Sequence, residues 1–581
     1  MTIVNHTFLN RQCTYPSLKN KHIMQNPSYK IFALSILGAF FTVSQTFAQK
    51  QQGEVKTDDI EIYKDTKVVL PQANRIFDKV PISADDNARK PIRYEFIERK
   101  LPVQTPEFSP TVNMPDGGSK EDTKAAKHSN IIRVGMGNYG HTFLEAHAGI
   151  PMGEDNYHGI YIKHNNFRLG PVGANYSGVS QNIVKVHSRT SFDAVKLEGA
   201  LGWERRGFDF YGFTPKNYDF PESQIYNSWN KFNFNGVISN SNKDSKVDYE
   251  FKSNLSYLFT HLKANELVWK GSGSAVFPVT EQLSAIVDGT LVLAQRQDSL
   301  TLYRNLYKLK PTFQYKTDKF TVTAGLNVIN DREKNTFNNS YVYPIIKLDV
   351  QPMQGIKVFA GYEGDVYANN LTSFLLENQW LNRFTELRNT RKTNDFYVGG
   401  KASLQNGLDV EAKLSYANYK DFYVFNNSRT DSTRFEALYS DDSTTVKVTN
   451  FTAQASYQIP EMFRSNLKFD VNIFSGLGNL KNAWHRPSFT ATWNNTFTIK
   501  QKLLVSSDLY FLTGMKGNNF LTNKEVKLDP IIDLNFKFTY LITEHFDVFI
   551  SANNVFNKNY QRYLYYPTQG VNFLGGLSYS F

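Results

Sequence analysis

The stretch that decides the fold is the last one, Asn572-Phe-Leu-Gly-Gly-Leu-Ser-Tyr-Ser-Phe581, and nothing follows its terminal phenylalanine. Val571, Phe573, Leu577, Tyr579 and Phe581 fall on one face of an extended chain, and Asn572, Ser578 and Ser580 on the other. A period of two, apolar on one side and polar on the other, is the pattern of a half-buried strand. Ending such a strand on an aromatic makes sense if its apolar face meets lipid.

The same alternation recurs upstream. Ile532, Leu534, Phe536, Phe538 and Tyr540 alternate with Asp533, Asn535, Lys537 and Thr539. Leu467 to Ile473 alternates with Lys468, Asp470 and Asn472, and Leu408 to Tyr416 with Asp409, Glu411, Lys413 and Ser415. Short turn signals punctuate these runs at 153–155, 192–194, 242–246, 280–282, 316–319, 352–355, 405–407, 460–465, 500–502 and 543–545. Between them lie longer polar stretches, including the one from Phe213 to Ser228, NTRKTNDF (389–396) and KGNNFLTNKE (516–525). Short turns alternating with long loops predict an all-β, transmembrane antiparallel barrel of about 22 strands, between about 18 and 24, with short periplasmic turns and long outer loops. Its first strand is expected at 131–138 and its last at 571–581. Closure satisfies every backbone hydrogen bond in lipid. A barrel of this size leaves a lumen that wall side chains alone do not fill.

Composition agrees. The 581 residues include 33 Tyr and 45 Phe, yet mean hydropathy is −0.44, which suits strands that are apolar on one face only. No repeat of propeller period is present. Residues 31–47 form one apolar run after Lys30, too short for a spanning helix. With Thr46-Phe47-Ala48 it reads as a secretory signal cleaved after Ala48, and Met24 as an alternative start gives that signal an ordinary length. Cys13, the single cysteine, precedes the cleavage point, so a mature chain has no disulfide, thiolate nucleophile or Cys metal ligand. Removing the leader's four bases lowers the net charge from +11 to about +7. These bases are scattered among acids. That excess fits a solvated lumen, or loops near anionic head groups, better than nucleic acid, a partner the secretory signal also disfavours.

Residues 49–129 carry Pro71, Pro81, Pro91, Pro102, Pro106, Pro110 and Pro115 and no sustained apolar period. Proline at this density opposes helix interiors and central strands, so an extended periplasmic segment is expected before a barrel of residues 130–581.

No HExxH, G-x-S-x-G or P-loop occurs. His141, Glu145 and His147 share parity on one expected strand, and His158 and His164 on the next. Paired across strands, some could hold a divalent ion; the plainer reading is polar lumen or interfacial side chains. No cofactor, resident metal or catalytic set is expected. Arg205, Arg206 and Asp209 flank the aromatic FDFYGF before a long loop, where they could bind sugar, peptide or lipid head groups, or form an ordinary aromatic girdle. Tyr clusters in TNDFYVGG, YANYKDFYVF and NKNYQRYLYY read as interfacial rings at strand ends.

The tail Ala552–Phe581 resembles the end of a TonB-dependent receptor barrel. Asn554-Val-Phe-Asn-Lys-Asn-Tyr560, Tyr566-Pro567 and the final L-S-Y-S-F match that family's closing pattern, with Val571 where the family usually has Arg. The resemblance implies that Leu577, Tyr579 and Phe581 are read by the outer-membrane assembly machinery. Lys64–Leu70 faintly resembles a TonB box, but residues 49–129 lack the family's plug glycine motifs. RVGMGNYGHTFLEAHAGI (133–150) and ERRGFDFYGF (204–213) resemble a plugless branch. Energised import needs a plug pulled by TonB and is not carried over. Three functions remain. One is passage of a solute, gated by residues 49–129 or a separate protein. The second is a scaffold subunit of an outer-membrane complex whose Pro-rich segment docks a periplasmic partner. The third and weakest is an outer-membrane enzyme.

Overall fold

The computed structural model describes residues 130–581, except 153–155, 174–175, 193, 213–224, 241–246, 405–406, 430, 461, 520–521 and 523. The signal with its Ala48 cleavage point, the segment 49–129 and the TonB-box-like stretch lie outside the described residues.

Twenty-two strands form one antiparallel sheet, each paired with its neighbour in sequence. The sheet closes where Ile131–Gly137 pairs with Asn572–Ser580, from Ile131 opposite Ser580 to Gly137 opposite Leu574. The closing seam is tight: a Cβ on Gly137 would sit 1.9 Å from the Phe573 carbonyl oxygen, so only glycine fits there. All ten short turns fall at one end of the barrel, where the sequence placed them, and eleven connections fall at the other. The expected strand number holds.

Alternation sorts the wall as expected. Phe573, Leu577, Tyr579 and Phe581 are exposed on the lipid side, while Asn572 and Ser578 are buried on the lumen side. Phe538 and Tyr540 face outward against buried Asp533 and Asn535. The terminal strand runs from Asn572 to Ser580, and Phe581 is tied by its N–H to the Asn130 carbonyl at 3.0 Å. One boundary differs from expectation. NTRKTNDF is not a loop: Thr390–Leu404 is a strand, and the connection is residues 368–389. Its lysine and arginine are lumen-wall and strand-end charges, paired as Lys392–Asp395 and Arg391–Asp421, and polarity alone misread them.

At the loop end, three connections carry hairpins outside the barrel sheet: Tyr423–Asn427 with Phe435–Tyr439, Lys516–Asn519 with Lys524–Lys527, and Gln561–Tyr563 with Tyr566–Pro567. A fourth carries a short helix, Leu371–Glu377.

Candidate functional site: a barrel mouth closed by its own loops

The long connections turn inward and pack on one another. Connection 368–389 is docked on the inner wall by three charged side chains. Glu266, buried at the start of strand Asn265–Pro278, accepts hydrogen bonds from the Leu371 and Thr372 N–H groups at 2.8 and 3.0 Å and from the Thr372 hydroxyl at 3.3 Å. Asn370 caps the next N–H, that of Ser373, at 2.7 Å. The donors a helix start leaves open are thus met by one carboxylate and one amide. The Arg296 guanidinium donates to the Thr385 and Arg383 carbonyls, both at 2.7 Å. Arg304 donates to the Asn369 carbonyl at 2.9 Å and to Asn389 Oδ1 at 2.8 Å. Asp298 and Glu333 balance these arginines, at 3.0 and 3.5 Å.

Behind the docked loop lies an aromatic core drawn from several connections. Trp380, fully buried, lies tilted against Tyr566 with ring centroids 4.0 Å apart and meets Tyr211 edge-on at 5.9 Å and Tyr563 at 6.2 Å. Phe435 meets Tyr563 at 5.2 Å and Tyr566 at 5.7 Å, and Phe374 meets Phe425 at 5.2 Å. Four polar tips in this core have partners across a loop boundary. The Trp380 indole N–H donates to the Asp209 carbonyl at 3.1 Å, Tyr211 to the Pro567 carbonyl at 3.1 Å, and Tyr563 to the Glu377 carbonyl at 3.0 Å. Tyr566 donates to the Thr433 carbonyl. Residues 380–382 run alongside strand Phe435–Tyr439 through a parallel bridge at Leu381 and Phe435.

His485 ties three connections together. Its Nδ1 donates to the Phe425 carbonyl at 2.8 Å and its Nε2 accepts from the Leu564 N–H at 3.1 Å, so the neutral Nδ1-protonated ring is the one held. Burial pushes its pKa down to about 3 against the pull of the Phe425 carbonyl, and the Arg562 guanidinium adds to the depression. Next to it, Arg486 lies over Phe422 and Tyr423, donates to the Tyr423 carbonyl at 3.1 Å and faces Glu377 at 3.6 Å. The Tyr423 hydroxyl donates to Glu377 at 2.6 Å, and burial pushes that phenol up to about 12.

The residues singled out in the sequence fall as follows. Arg205 and Arg206, being adjacent on a strand, go to opposite faces of the wall. Arg206 turns to the lumen, 2.9 Å from Glu204, which Lys231 also meets at 3.0 Å. Arg205 turns outward and donates to the Tyr226 hydroxyl at 3.0 Å. Asp209 is buried at the strand end, where its main-chain carbonyl takes Trp380. The two histidine sets do not meet. His141, Glu145 and His147 are buried on the lumen side, whereas His158 pairs with Ile150 and His164 with Leu144, on the lipid side. Pairing keeps parity, so the sets occupy opposite faces. Among the described residues no group of three His, Cys, Asp or Glu is placed to hold a metal. His147 instead stacks on His187 at 5.5 Å, and Tyr157 lies beside both. The interfacial reading of NKNYQRYLYY is corrected for Tyr563 and Tyr566: both point into the loop core, where a Tyr can bury its ring if its hydroxyl finds an acceptor. Glu266, Arg296, Arg304, Trp380 and His485 were not singled out. Trp380 and His485 stand in stretches without period, and the other three look like ordinary polar-face residues of their strands.

The structure is a closed antiparallel barrel of 22 strands with inward-folded loops, and the resemblance of the C-terminal sequence to TonB-dependent receptors holds at the level of the fold. Among solved structures, the chain is similar to the FrpB iron transporter (F3-3 variant) from Neisseria meningitidis, with a TM-score of 0.61, 13% identity and coverage of 78% of this chain and 81% of that one. It is similar to the siderophore receptor PirA from Acinetobacter baumannii (TM-score 0.60, 11% identity, 78% and 80% covered) and to the ferric-catecholate import receptor Fiu from E. coli K12 (TM-score 0.58, 9% identity, 78% and 81% covered). No family model and no curated protein matches the sequence.

Proposed function

We propose that this chain is an outer-membrane barrel that passes a solute, not an enzyme, with its loop end outward and its mouth closed by its own loops. The observation that carries this reading is a 22-stranded wall across whose mouth aromatic residues from separate connections pack into one core. A wall this wide encloses more space than its side chains fill, so a transport protein needs closures it can open. The loop core supplies one. Residues 49–129, or a periplasmic partner bound to them, supply the other at the turn end. The similar proteins are named as an iron transporter, a siderophore receptor and a ferric-catecholate import receptor, which supports import as the direction. Leu577, Tyr579 and Phe581, aligned on the lipid side of the last strand, supply the signal for the assembly machinery.

Planar-bilayer conductance of the full chain and of a chain lacking residues 49–129, each with and without the Arg296→Ala/Arg304→Ala pair, tests this. Conductance that rises when both closures are weakened supports passage. A barrel that stays silent in all four forms supports the scaffold reading, which a mouth crossed by a packed core also suits. Mass spectrometry of what co-purifies in gentle detergent then identifies the complex.

A further inference from the structure

Three rings from adjacent strands meet on the lumen side of the wall, toward its turn end: His147 on His141–Met152, Tyr157 on Asn156–Phe167 and His187 on Val179–Ser191. Gly149 and Gly159 face each other between the first two strands, and Gly159 faces His187 across the next. Each glycine floors a ring from the following strand. A Cβ on Gly149 would sit 1.9 Å from Tyr157 Oη, and a Cβ on Gly159 would sit 2.5 Å from His187 Nε2. A phenol oxygen and an imidazole nitrogen are thus brought over one pair of facing glycines. His147, two residues from Gly149 on the same face, turns its Nε2 to the same place, 3.3 Å from Tyr157 Oη.

The spacing suits a set of ligands. A separation of 3.3 Å is long for a hydroxyl–imidazole hydrogen bond, yet it is close to the edge of a tetrahedral site with bonds of about 2.0–2.1 Å. The His147 and His187 ring centroids lie 5.5 Å apart with their planes at 9°. Two imidazoles sharing one ion at such bond lengths place their centroids roughly 5–6.5 Å apart. His187 is only 4% exposed, and its Nε2 has no hydrogen-bond partner among the described residues. A buried ring nitrogen left so is costly, and an ion between the rings satisfies it. The neighbouring charges are largely balanced. Arg189, beside His187, meets Glu198 at 3.3 Å, and Glu145, beside His147, meets Arg133 at 3.1 Å. Lys185, two residues from His187 on the same face, opposes a cation and keeps the affinity modest.

We propose that His147, His187 and Tyr157 bind a divalent first-row transition ion on the inner wall, through the two Nε2 atoms and the phenol oxygen, with water in the fourth position. Imidazole suits such ions, and three protein ligands leave one position open. Each histidine ligates as the neutral ring with its proton on Nδ1. The phenol ligates as phenolate and releases its proton to solvent, so binding frees one proton from the protein. The inference rests on the geometry of the wall and not on solute passage.

Electron paramagnetic resonance of the full, untagged chain in detergent near neutral pH, with one equivalent of Cu2+, tests it; copper is the tightest-binding divalent ion of its row. The wild-type spectrum is expected to show copper coupled to two nitrogens. His147→Gln and His187→Gln should each lose that two-nitrogen coupling while keeping the heat-resistant folded band on gels. His158→Gln, on the outward face and bonded to Ser188 at 2.9 Å, should keep it. Tyr157→Phe should keep both nitrogens and bind copper roughly tenfold more weakly or worse. A wild-type chain that shows no copper coupled to two nitrogens overturns the proposal, and that reading needs no substitution to fold. The wild-type spectrum in folded His147→Gln/His187→Gln overturns it as well, and so does unchanged affinity in Tyr157→Phe, which would remove the phenol from the set.

Discussion

Trp380→Ala should open the mouth without unfolding the barrel. The side chain is fully buried, lies against Tyr566, meets Tyr211 and Tyr563, and donates to the Asp209 carbonyl at 3.1 Å. Removing a buried Trp from a packed core costs about 3–5 kcal/mol, and an unmet buried carbonyl adds about 1 kcal/mol. The barrel ladders do not pass through Trp380, so the loss falls on the loop core. Taking about 3 kcal/mol as the part felt by loop opening, the open population rises roughly a hundredfold. The probe is Ala437→Cys in a Cys13→Ser background: Ala437 is small, buried in the same core and bonded through its N–H to Thr385 of the docked loop at 2.9 Å. Maleimide labelling then reports loop opening when closing is faster than modification. The expected result is labelling roughly a hundredfold faster in Trp380→Ala, with the heat-resistant folded band retained. Unchanged labelling in a folded barrel would refute the claim that the aromatic core holds the mouth shut.

Three further outcomes follow from the same geometry. Arg296→Ala/Arg304→Ala frees four hydrogen bonds to connection 368–389 and should raise Ala437→Cys labelling and protease nicking within 368–389; equal nicking would show that the arginines do not hold the loop. His485 is neutral in the closed mouth with a pKa near 3, whereas a freed ring binds a proton near pH 6.5. The open form therefore holds more protons between those values, so closure weakens as pH falls from about 6.5 toward about 3, and labelling rises relative to that of a fully exposed reference cysteine, which corrects for the falling thiolate fraction. His485→Asn should flatten that pH dependence. Tyr579→Ala/Phe581→Ala should lower the amount of folded barrel reaching the outer membrane in cells but change refolding into detergent little, because both rings are exposed on the lipid side; equal loss in both settings would mean the residues serve stability, not recognition.

What could be read in the sequence was what the two solvents of the wall impose. Phe538 and Tyr540 against Asp533 and Asn535 alternate because one neighbour is lipid and the other a polar lumen, and that demand repeats along every strand. Turn positions were legible for a related reason: at one end the chain must reverse within a few residues, and TEH (543–545) or KQK (500–502) can do little else. Glu266 and Arg304 show the limit. In sequence they are polar-face residues like Asp533, and only the fold brings a helix start 105 residues away onto Glu266 and the Asn369 carbonyl onto Arg304.

The tyrosines of NKNYQRYLYY make the same point from the other side. An aromatic with a hydroxyl satisfies both a membrane boundary and a buried core, and composition does not choose between them. Topology chooses. Tyr563 and Tyr566 sit on a connection long enough to reach over the lumen, where the Glu377 and Thr433 carbonyls lie. Tyr579, paired with Phe546 beside the short turn 542–545 and on a strand locked between Ile131–Gly137 and Phe546–Asn553, lies at the opposite end and stays at the lipid face. Whether an aromatic stands on a long connection of the loop end or on a wall strand therefore decides whether it closes the mouth or anchors the wall.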